Sequence, residues 1–185
     1  MPLVRVHRTH LELPDRAALR APADAPPDGA RVERLDPCPV PLYRALYRAV
    51  GDRWHWRDRS VWTDERLAAH LADPGVRVLA LRAPGVAPRD ADLDGLAGFA
   101  ELARVGDDVV ELVYFGLVAE AIGRRLGGFL LARAVEEAWA MGAERVILNT
   151  CTLDAPQALP NYLARGFRPV REEWYEAELP DALGG

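Results

Sequence analysis

Lysine is absent from the 185-residue sequence, so all 23 basic residues are arginines. Cysteine is also scarce. The two cysteines, Cys38 and Cys151, lie far apart and form no Cys-x-x-Cys pair. None of the four histidines joins them in a ligand cluster, which argues against a disulfide framework and a structural zinc site. We therefore expect no metal in this protein and a reducing, cytoplasmic environment.

Long apolar runs are also missing. No stretch reaches the ~18 residues of a membrane-spanning helix, and charges from Arg5 onward leave no apolar core for a secretory signal. The net charge of −5 argues against general binding to nucleic acids, because their phosphates attract basic proteins. The composition, 50% hydrophobic and 28% charged, is typical of a globular protein, and the length fits one domain.

Hydrophobic periodicity predicts alternating strands and helices. In the longest predicted helix, Leu126, Leu130 and Ala134 share one side, and Asp154 is expected to cap the last helix. The predicted strands cover 3–13, 31–35, 76–82, 96–103, 109–118, 145–151 and 171–179. The predicted helices cover 41–50, 64–73, 124–141 and 155–165. This order predicts a single α/β domain with a mixed sheet flanked by helices.

A glycine-containing turn leads into the longest helix. Gly127 and Gly128 fall in its first turn, where unpaired backbone N–H groups and the positive end of the helix dipole favour an anion. Glycine also lets an anion approach the backbone closely. Arg124 and Arg125 add positive charge at the end where the dipole disfavours it, which suggests a bound anion such as a pyrophosphate. An ordinary strand–turn–helix with solvated arginines is the alternative.

Two short motifs stand out in these elements. Residues 122–127 are Ile-Gly-Arg-Arg-Leu-Gly, and residues 162–167 are Tyr-Leu-Ala-Arg-Gly-Phe. They resemble two motifs of the GNAT superfamily of acyl-CoA-dependent N-acetyltransferases. The first corresponds to the pyrophosphate motif Gln/Arg-x-x-Gly-x-Gly/Ala, in which only the last glycine matches strictly, and the second matches the motif Tyr-x-x-x-Gly-Phe in full. The resemblance implies a mostly antiparallel sheet, with a GNAT-like domain over 31–185 and an N-terminal strand and loop extension over 1–30.

The resemblance also implies acetyl-CoA as co-substrate. The pantetheine arm would lie between two splayed strands, beside Leu117 and Val118 on one and Asn149 on the other. The pyrophosphate would accept hydrogen bonds from N–H groups at the start of the longest helix. The cofactor-binding residues implied in this way are Leu117, Val118, Gly123, Arg124, Arg125, Leu126, Gly127, Gly128 and Asn149.

Acetylation of an amine needs a group that takes a proton and a group that gives one. By resemblance, Tyr162 would protonate the departing thiolate; packing against the sheet is its structural alternative. Glu111 is the first candidate base, because alternation places its carboxylate on the apolar face of Phe115, although it could simply be solvated near a turn. Glu101 is the second candidate, and ordered water is a third route for the proton.

The loop after the first helix is rich in aromatic residues. Trp54, His55 and Trp56 are the predicted substrate-binding residues, although aromatic loops also cover cores. We expect a primary amine of a small molecule or peptide as acceptor, and no nucleic acid or membrane partner. Exchange of the first strand would make a homodimer. The alternatives are a protein that binds acyl-CoA without turnover and an acyltransferase that uses a longer acyl chain.

Overall fold

A computed structural model describes residues 3–22, 25–26, 28–88, 90 and 93–179 of the chain. The strands in these residues are β1 Leu3–Leu13, β2 Arg31–Leu35, β3 Val76–Arg82, β4 Leu96–Arg104, β5 Val109–Leu117, β6 Arg145–Cys151 and β7 Arg168–Glu178. The α-helices are α1 Val40–Gly51, α2 Asp64–Leu71, α3 Leu126–Ala140 and α4 Ala158–Ala164. Residues 1–2 of the predicted extension and residues 180–185 of the predicted domain lie outside the described residues.

The strands form one mixed sheet in the order β2-β3-β4-β5-β6-β1-β7. Only β5 and β6 run parallel, and every other neighbouring pair is antiparallel. The predicted mixed, mostly antiparallel sheet with flanking helices and an extra N-terminal strand is therefore confirmed. Within the described part of the chain, no helix has the length and apolar character needed to cross a membrane.

Helices cover both faces of the sheet at β5. A Cβ atom added to Gly116 would collide with Val50, so Gly116 faces α1. The next residue, Leu117, faces α3, because its Cδ1 lies 3.8 Å from the position that a Cβ of Gly127 would take. Neighbouring strand residues point to opposite faces, so α1 and α3 lie on opposite sides of the sheet.

The N-terminal strand lies inside the sheet rather than at its edge. β1 pairs with β6 over residues 8–13 and with β7 over residues 3–12. Residues that follow β1 also contact the rest of the fold, since the Arg20 amide donates a hydrogen bond to the Arg165 carbonyl at 3.0 Å. The segment predicted as an extension therefore supplies an interior strand of the sheet.

Helices α3 and α4 begin later than the sequence predicts, and α4 begins at Ala158 instead of residue 155. α3 begins at Leu126 instead of residue 124, because Gly123 and Arg125 adopt left-handed backbone conformations with φ of 80° and 61°. The predicted cap of the last helix is wrong. Asp154 instead accepts hydrogen bonds from the Thr150 hydroxyl at 2.7 Å and the Cys151 amide at 2.9 Å, so it closes the turn after β6.

A β-bulge interrupts β5. The consecutive residues Glu101 and Leu102 of β4 pair with Tyr114 and Leu112, so Val113 has no partner in the ladder. An extra residue of this kind reverses the alternation of side chains along the strand. Residues before and after Val113 that simple alternation would place on the same face of the sheet therefore lie on opposite faces.

The bulge changes the surroundings of Glu111. Glu111 lies on the same face as Tyr114, whose ring packs 5.1 Å from that of Tyr47 in α1. Phe115 lies on the other face, where its ring is 5.9 Å from that of Tyr162 in α4. The predicted common face of Glu111 and Phe115 is therefore wrong, because simple alternation does not account for the extra residue at the bulge.

Candidate active site

The parallel strands β5 and β6 separate after a short pairing. Their ladder contains three residue pairs and ends where Glu111 pairs with Ile147. Both strands then continue, β5 to Leu117 and β6 to Cys151, without pairing to each other. The separation opens a gap in the middle of the sheet, and a cavity of about 550 Å³ lies there.

This cavity reaches both faces of the sheet. Toward α1 it is lined by residues of β1, β5, β6 and the loop after α1, which include Arg8, Trp54, Trp56, Asp58, Glu111, Tyr114, Asn149 and Cys151. Toward α3 and α4 it is lined by Phe115, Leu117, Gly123, Arg125, Leu126, Gly127, Gly128, Asn161 and Tyr162. Two molecules that enter from opposite faces could therefore meet between the strands.

Glu111 stands at the point where the strands separate. Its side chain is half-buried, and burial raises its pKa above the ordinary value of a glutamate, an effect that the positive charge of Arg59 offsets only in part. A carboxylate with a raised pKa accepts a proton more readily at neutral pH than an exposed one does. Its position and its pKa are both suited to a base that faces the cavity.

Tyr162 approaches the cavity from the other face. It is 6% exposed, and its ring packs 5.9 Å from Phe115 and 6.1 Å from Phe167. Burial raises the pKa of its phenol, and the negative charge of Asp154 raises it further. The hydroxyl therefore keeps its proton at neutral pH, and it can donate that proton to an anion in the cavity.

The two arginines of the glycine turn have different positions. Arg125 lines the cavity together with Gly123. Arg124 does not line it, because its guanidinium donates hydrogen bonds to the carbonyls of Pro84 at 3.0 Å and Gly85 at 2.9 Å. The sequence treats these neighbours as one cationic pair, whereas the structure assigns Arg124 to holding the loop between β3 and β4.

Of the two residues predicted to lie beside pantetheine on the first splayed strand, one lines the cavity. Leu117 lines the cavity, but Val118 does not, since it is buried and its amide donates to the Ala97 carbonyl at 3.0 Å. Asn149, which the family resemblance places beside the gap, lines the cavity from the opposite strand, β6. Asn161 is a further lining residue that the sequence analysis missed, although it directly precedes the tyrosine of the matched motif.

The aromatic loop contributes two of its three predicted residues. Trp54 and Trp56 line the cavity, and the Trp56 ring lies 4.9 Å from that of Tyr114. His55 does not line it and takes a left-handed conformation with φ of 59°. Asp58 is a further lining residue and accepts a hydrogen bond from the Tyr114 hydroxyl at 3.1 Å.

Two other observations bear on the chemistry of the site. Arg8 reaches the cavity from β1, and nothing in the sequence indicates this because its neighbours in the sheet are remote along the chain. Glu101, the second candidate base, does not line the cavity and is fully buried. Among the described residues, no three His, Cys, Asp or Glu side chains are grouped as metal ligands.

A protein-family model matches about two thirds of the chain. The acetyltransferase (GNAT) family model matches residues 43–167 of the chain. The comparison with curated proteins gives no match.

Several solved structures share the fold at low identity. A GCN5-related N-acetyltransferase from Kribbella flavida has a TM-score of 0.61 and 19% identity over 90% of this chain and 56% of its own. One from Sphaerobacter thermophilus has a TM-score of 0.62 and 16% identity over 92% and 51%. An aminoglycoside acetyltransferase from an uncultured soil metagenomic sample has a TM-score of 0.59 and 14% identity over 75% and 88%. The chain thus spans little more than half of the first two proteins.

Proposed function

We propose that this chain, which belongs to the acetyltransferase (GNAT) family, transfers an acetyl group from acetyl-CoA directly to a primary amine of a small molecule or peptide. One observation carries the proposal. One cavity between the separated strands β5 and β6 has the glycine turn at one end and two carboxylates with two tryptophans at the other. Such a cavity suits a reaction between two substrates that enter from opposite faces.

The turn before α3 fits the phosphates of acetyl-CoA. A Cβ atom at Gly127 would make only ordinary contacts, 3.7 Å from Asn161 Nδ2 and 3.8 Å from Leu117 Cδ1, so the fold itself does not require glycine there. The N–H groups of the first helical turn have no partners within the helix and favour an anion. Arg125 adds a positive charge to the same part of the cavity wall.

The opposite end of the cavity fits an amine. Two carboxylates, Asp58 and Glu111, line it together with Trp54 and Trp56. Carboxylates attract an ammonium group by charge, and the faces of tryptophan rings attract it through their quadrupole.

The two proton transfers follow from the positions of Glu111 and Tyr162. Glu111 takes a proton from the ammonium form of the acceptor, directly or through water, and the neutral amine then forms a bond to the thioester carbonyl carbon. The carbon–sulfur bond breaks, and Tyr162 gives its proton to the sulfur. Because burial raises the pKa of Tyr162, its phenolate readily takes the excess proton from the nitrogen of the new amide. Glu111 releases its proton to water, which restores both groups for the next cycle.

Location and assembly complete the proposal. We place the reaction in the cytoplasm, which fits the two free cysteines, Cys38 and Cys151. Exchange of β1 between two copies stays a prediction, and it would have to break strand pairing on both sides of β1.

Release of the free CoA thiol with a panel of primary amines tests the proposed function. The purified chain should release thiol from acetyl-CoA in the presence of at least one amine, and acetyl-CoA should raise its melting temperature. A thermal shift without thiol release would instead indicate a protein that only binds acyl-CoA. No shift at millimolar acetyl-CoA would overturn the assignment, and a series of acyl-CoA chain lengths distinguishes acetyl from longer acyl transfer.

Gly127→Ala should weaken acetyl-CoA binding by about tenfold or more, because the added methyl group occupies the space left for the phosphates. The same change should leave the melting temperature of the free protein unchanged or raised. The methyl group makes only ordinary contacts in the fold, and alanine stabilises a helix by up to ~1 kcal/mol over glycine. Thermal melts with and without acetyl-CoA measure both effects. Equal affinity in the variant would place the phosphates elsewhere.

Arg125→Gln should weaken acetyl-CoA binding roughly two- to fivefold at low salt, because an exposed charge pair is worth little more. The effect should shrink at high salt, since ions screen the contact. Arg124→Gln is the matched control: it should leave the affinity unchanged but lower the melting temperature, because it loses two hydrogen bonds to the Pro84 and Gly85 carbonyls. Equal losses of affinity in both variants would contradict this division of roles.

A further inference from the structure

A fully buried carboxylate lies between the sheet and the two N-terminal helices. Glu101 of β4 has no exposed surface, and three side chains from three different segments contact it. The Tyr43 hydroxyl of α1 donates a hydrogen bond to it, Arg59 Nη2 lies 2.8 Å away, and His70 Nε2 of α2 lies 2.8 Å away. Glu101 therefore connects α1, α2 and the intervening loop to the sheet.

The environment of Glu101 keeps it ionised. Burial alone would raise its pKa, but the hydrogen bond from His70 and the charge of Arg59 outweigh burial and lower the pKa. Its oxygens are occupied by three donors, and it does not line the cavity. Glu101 is thus poorly placed to take a proton from a substrate, and its chemistry is that of a fixed anion.

Arg59 links Glu101 to the acceptor loop, which we define as residues 52–63 and of which Arg59 is a part. Its guanidinium lies 4.0 Å from the ring of Trp62 and 5.2 Å from that of Tyr114. Its backbone amide donates a hydrogen bond to the Tyr47 hydroxyl at 3.3 Å. With its side chain 12% exposed, Arg59 fixes the middle of a loop that otherwise lies at the surface.

Two residues of the cavity wall, Asp58 and Trp56, lie close to Arg59 in the acceptor loop. Asp58 directly precedes Arg59 and accepts the Tyr114 hydroxyl at 3.1 Å, and Trp56 packs 4.9 Å from the same tyrosine ring. Both residues line the end of the cavity toward α1. The position of the acceptor-binding wall therefore depends on where Arg59 is held.

We propose that Glu101 is a positioning residue: through Arg59 it holds the acceptor loop, and so the binding site of the amine, against the cavity. The inference rests on the proposed function for the identity of the bound molecule. It assigns Glu101 to acceptor affinity and not to proton transfer. The glycine turn lies on the other side of the sheet, so the acetyl-CoA site should be insensitive to Glu101.

Glu101→Gln tests this role because it preserves the shape of the side chain and removes the charge that holds Arg59. The KM for the acceptor amine should rise roughly tenfold or more, whereas the KM for acetyl-CoA should stay within about twofold. Glu33→Gln is the matched control, since it removes a surface ion pair with Arg82 at 2.6 Å on β2 and β3. It should leave both KM values unchanged.

Arg59→Lys provides a second route should Glu101→Gln fail to fold. Lysine keeps the charge but loses the planar fork and its stacking on Trp62, so the acceptor KM should again rise selectively. In a double-mutant cycle, Glu101→Gln combined with Arg59→Lys should raise the acceptor KM no more than the larger single effect. Additive effects would show that Glu101 acts by another path.

Proteolysis gives a readout that does not need turnover. Trypsin should cut the full chain after Arg53 and Arg57 faster in Glu101→Gln than in the wild type or Glu33→Gln, because the acceptor loop is released. Cleavage at the wild-type rate, or a parallel rise in both KM values, would overturn the inference. If no amine releases thiol from acetyl-CoA, the proposed function fails, but the cleavage rates still decide whether Glu101 holds the loop.

Discussion

Tyr162→Phe should lower kcat by ~10²–10⁴ and change the affinity for acetyl-CoA by less than about twofold. In the proposed mechanism, the change removes the proton that Tyr162 gives to the departing thiolate, and it keeps the ring that packs on Phe115 and Phe167. The melting temperature should therefore stay close to that of the wild type. Single-turnover thiol release and a binding titration with acetyl-CoA measure the two quantities separately.

The control for this prediction is the acyl-CoA affinity itself. A variant with normal binding and normal turnover would remove Tyr162 from the mechanism. A variant with weakened binding and an equal loss of kcat/KM would make the hydroxyl a binding contact, because an interaction made only in the transition state leaves ground-state binding untouched.

Glu111→Gln should lower kcat/KM by ~10² at a pH below the pKa of the acceptor amine, where a base must take the amine proton. The deficit should shrink above that pH, because the amine then reaches the site already neutral. In the wild type, the rate should rise with pH as Glu111 loses its own proton, and burial moves that step above the ordinary range of a glutamate. A pH profile of kcat/KM for both proteins measures the rise in the wild type and the deficit of the variant.

A uniform loss across pH would indicate that Glu111 has a structural role, and stability provides the independent check. The raised pKa means that the folded chain binds this proton more tightly than the unfolded chain does. Glu111 therefore contributes stability at low pH that is lost as the pH rises through its folded pKa. At neutral pH, Glu111→Gln should unfold at the same or a higher temperature than the wild type.

Much of the fold could be predicted from the sequence because it depends on local patterns. The bounds predicted for the strands at 76–82 and 145–151 agree with the structure, since apolar residues and turn residues delimit them. The family predicted from the two motifs is confirmed by the match over 43–167.

The candidate site was harder to predict, because its geometry depends on pairing between remote segments. The leftover residue Val113 becomes visible only when β5 is aligned with β4, so the sequence pattern places Glu111 on the wrong face. Glu101 and Glu111 look alike in sequence, as single acidic residues in apolar strands. Only the surroundings supplied by α1, α2 and Arg59 distinguish the buried anion from the carboxylate in the cavity.

The interior position of β1 also governs the order in which the sheet can form during translation. β1 is synthesised before the other six strands, yet Val4 pairs with Ala177 in the last of them. Contacts between such distant residues cost more loop-closure entropy than those of the consecutive strands β3, β4 and β5. The half of the sheet from β2 to β5 can therefore assemble before β6 and β7, the strands that pair with β1, have been synthesised. The gap between β5 and β6 lies at the boundary between these two halves, so the cavity acquires all its walls only when the late half of the sheet has paired with the early half.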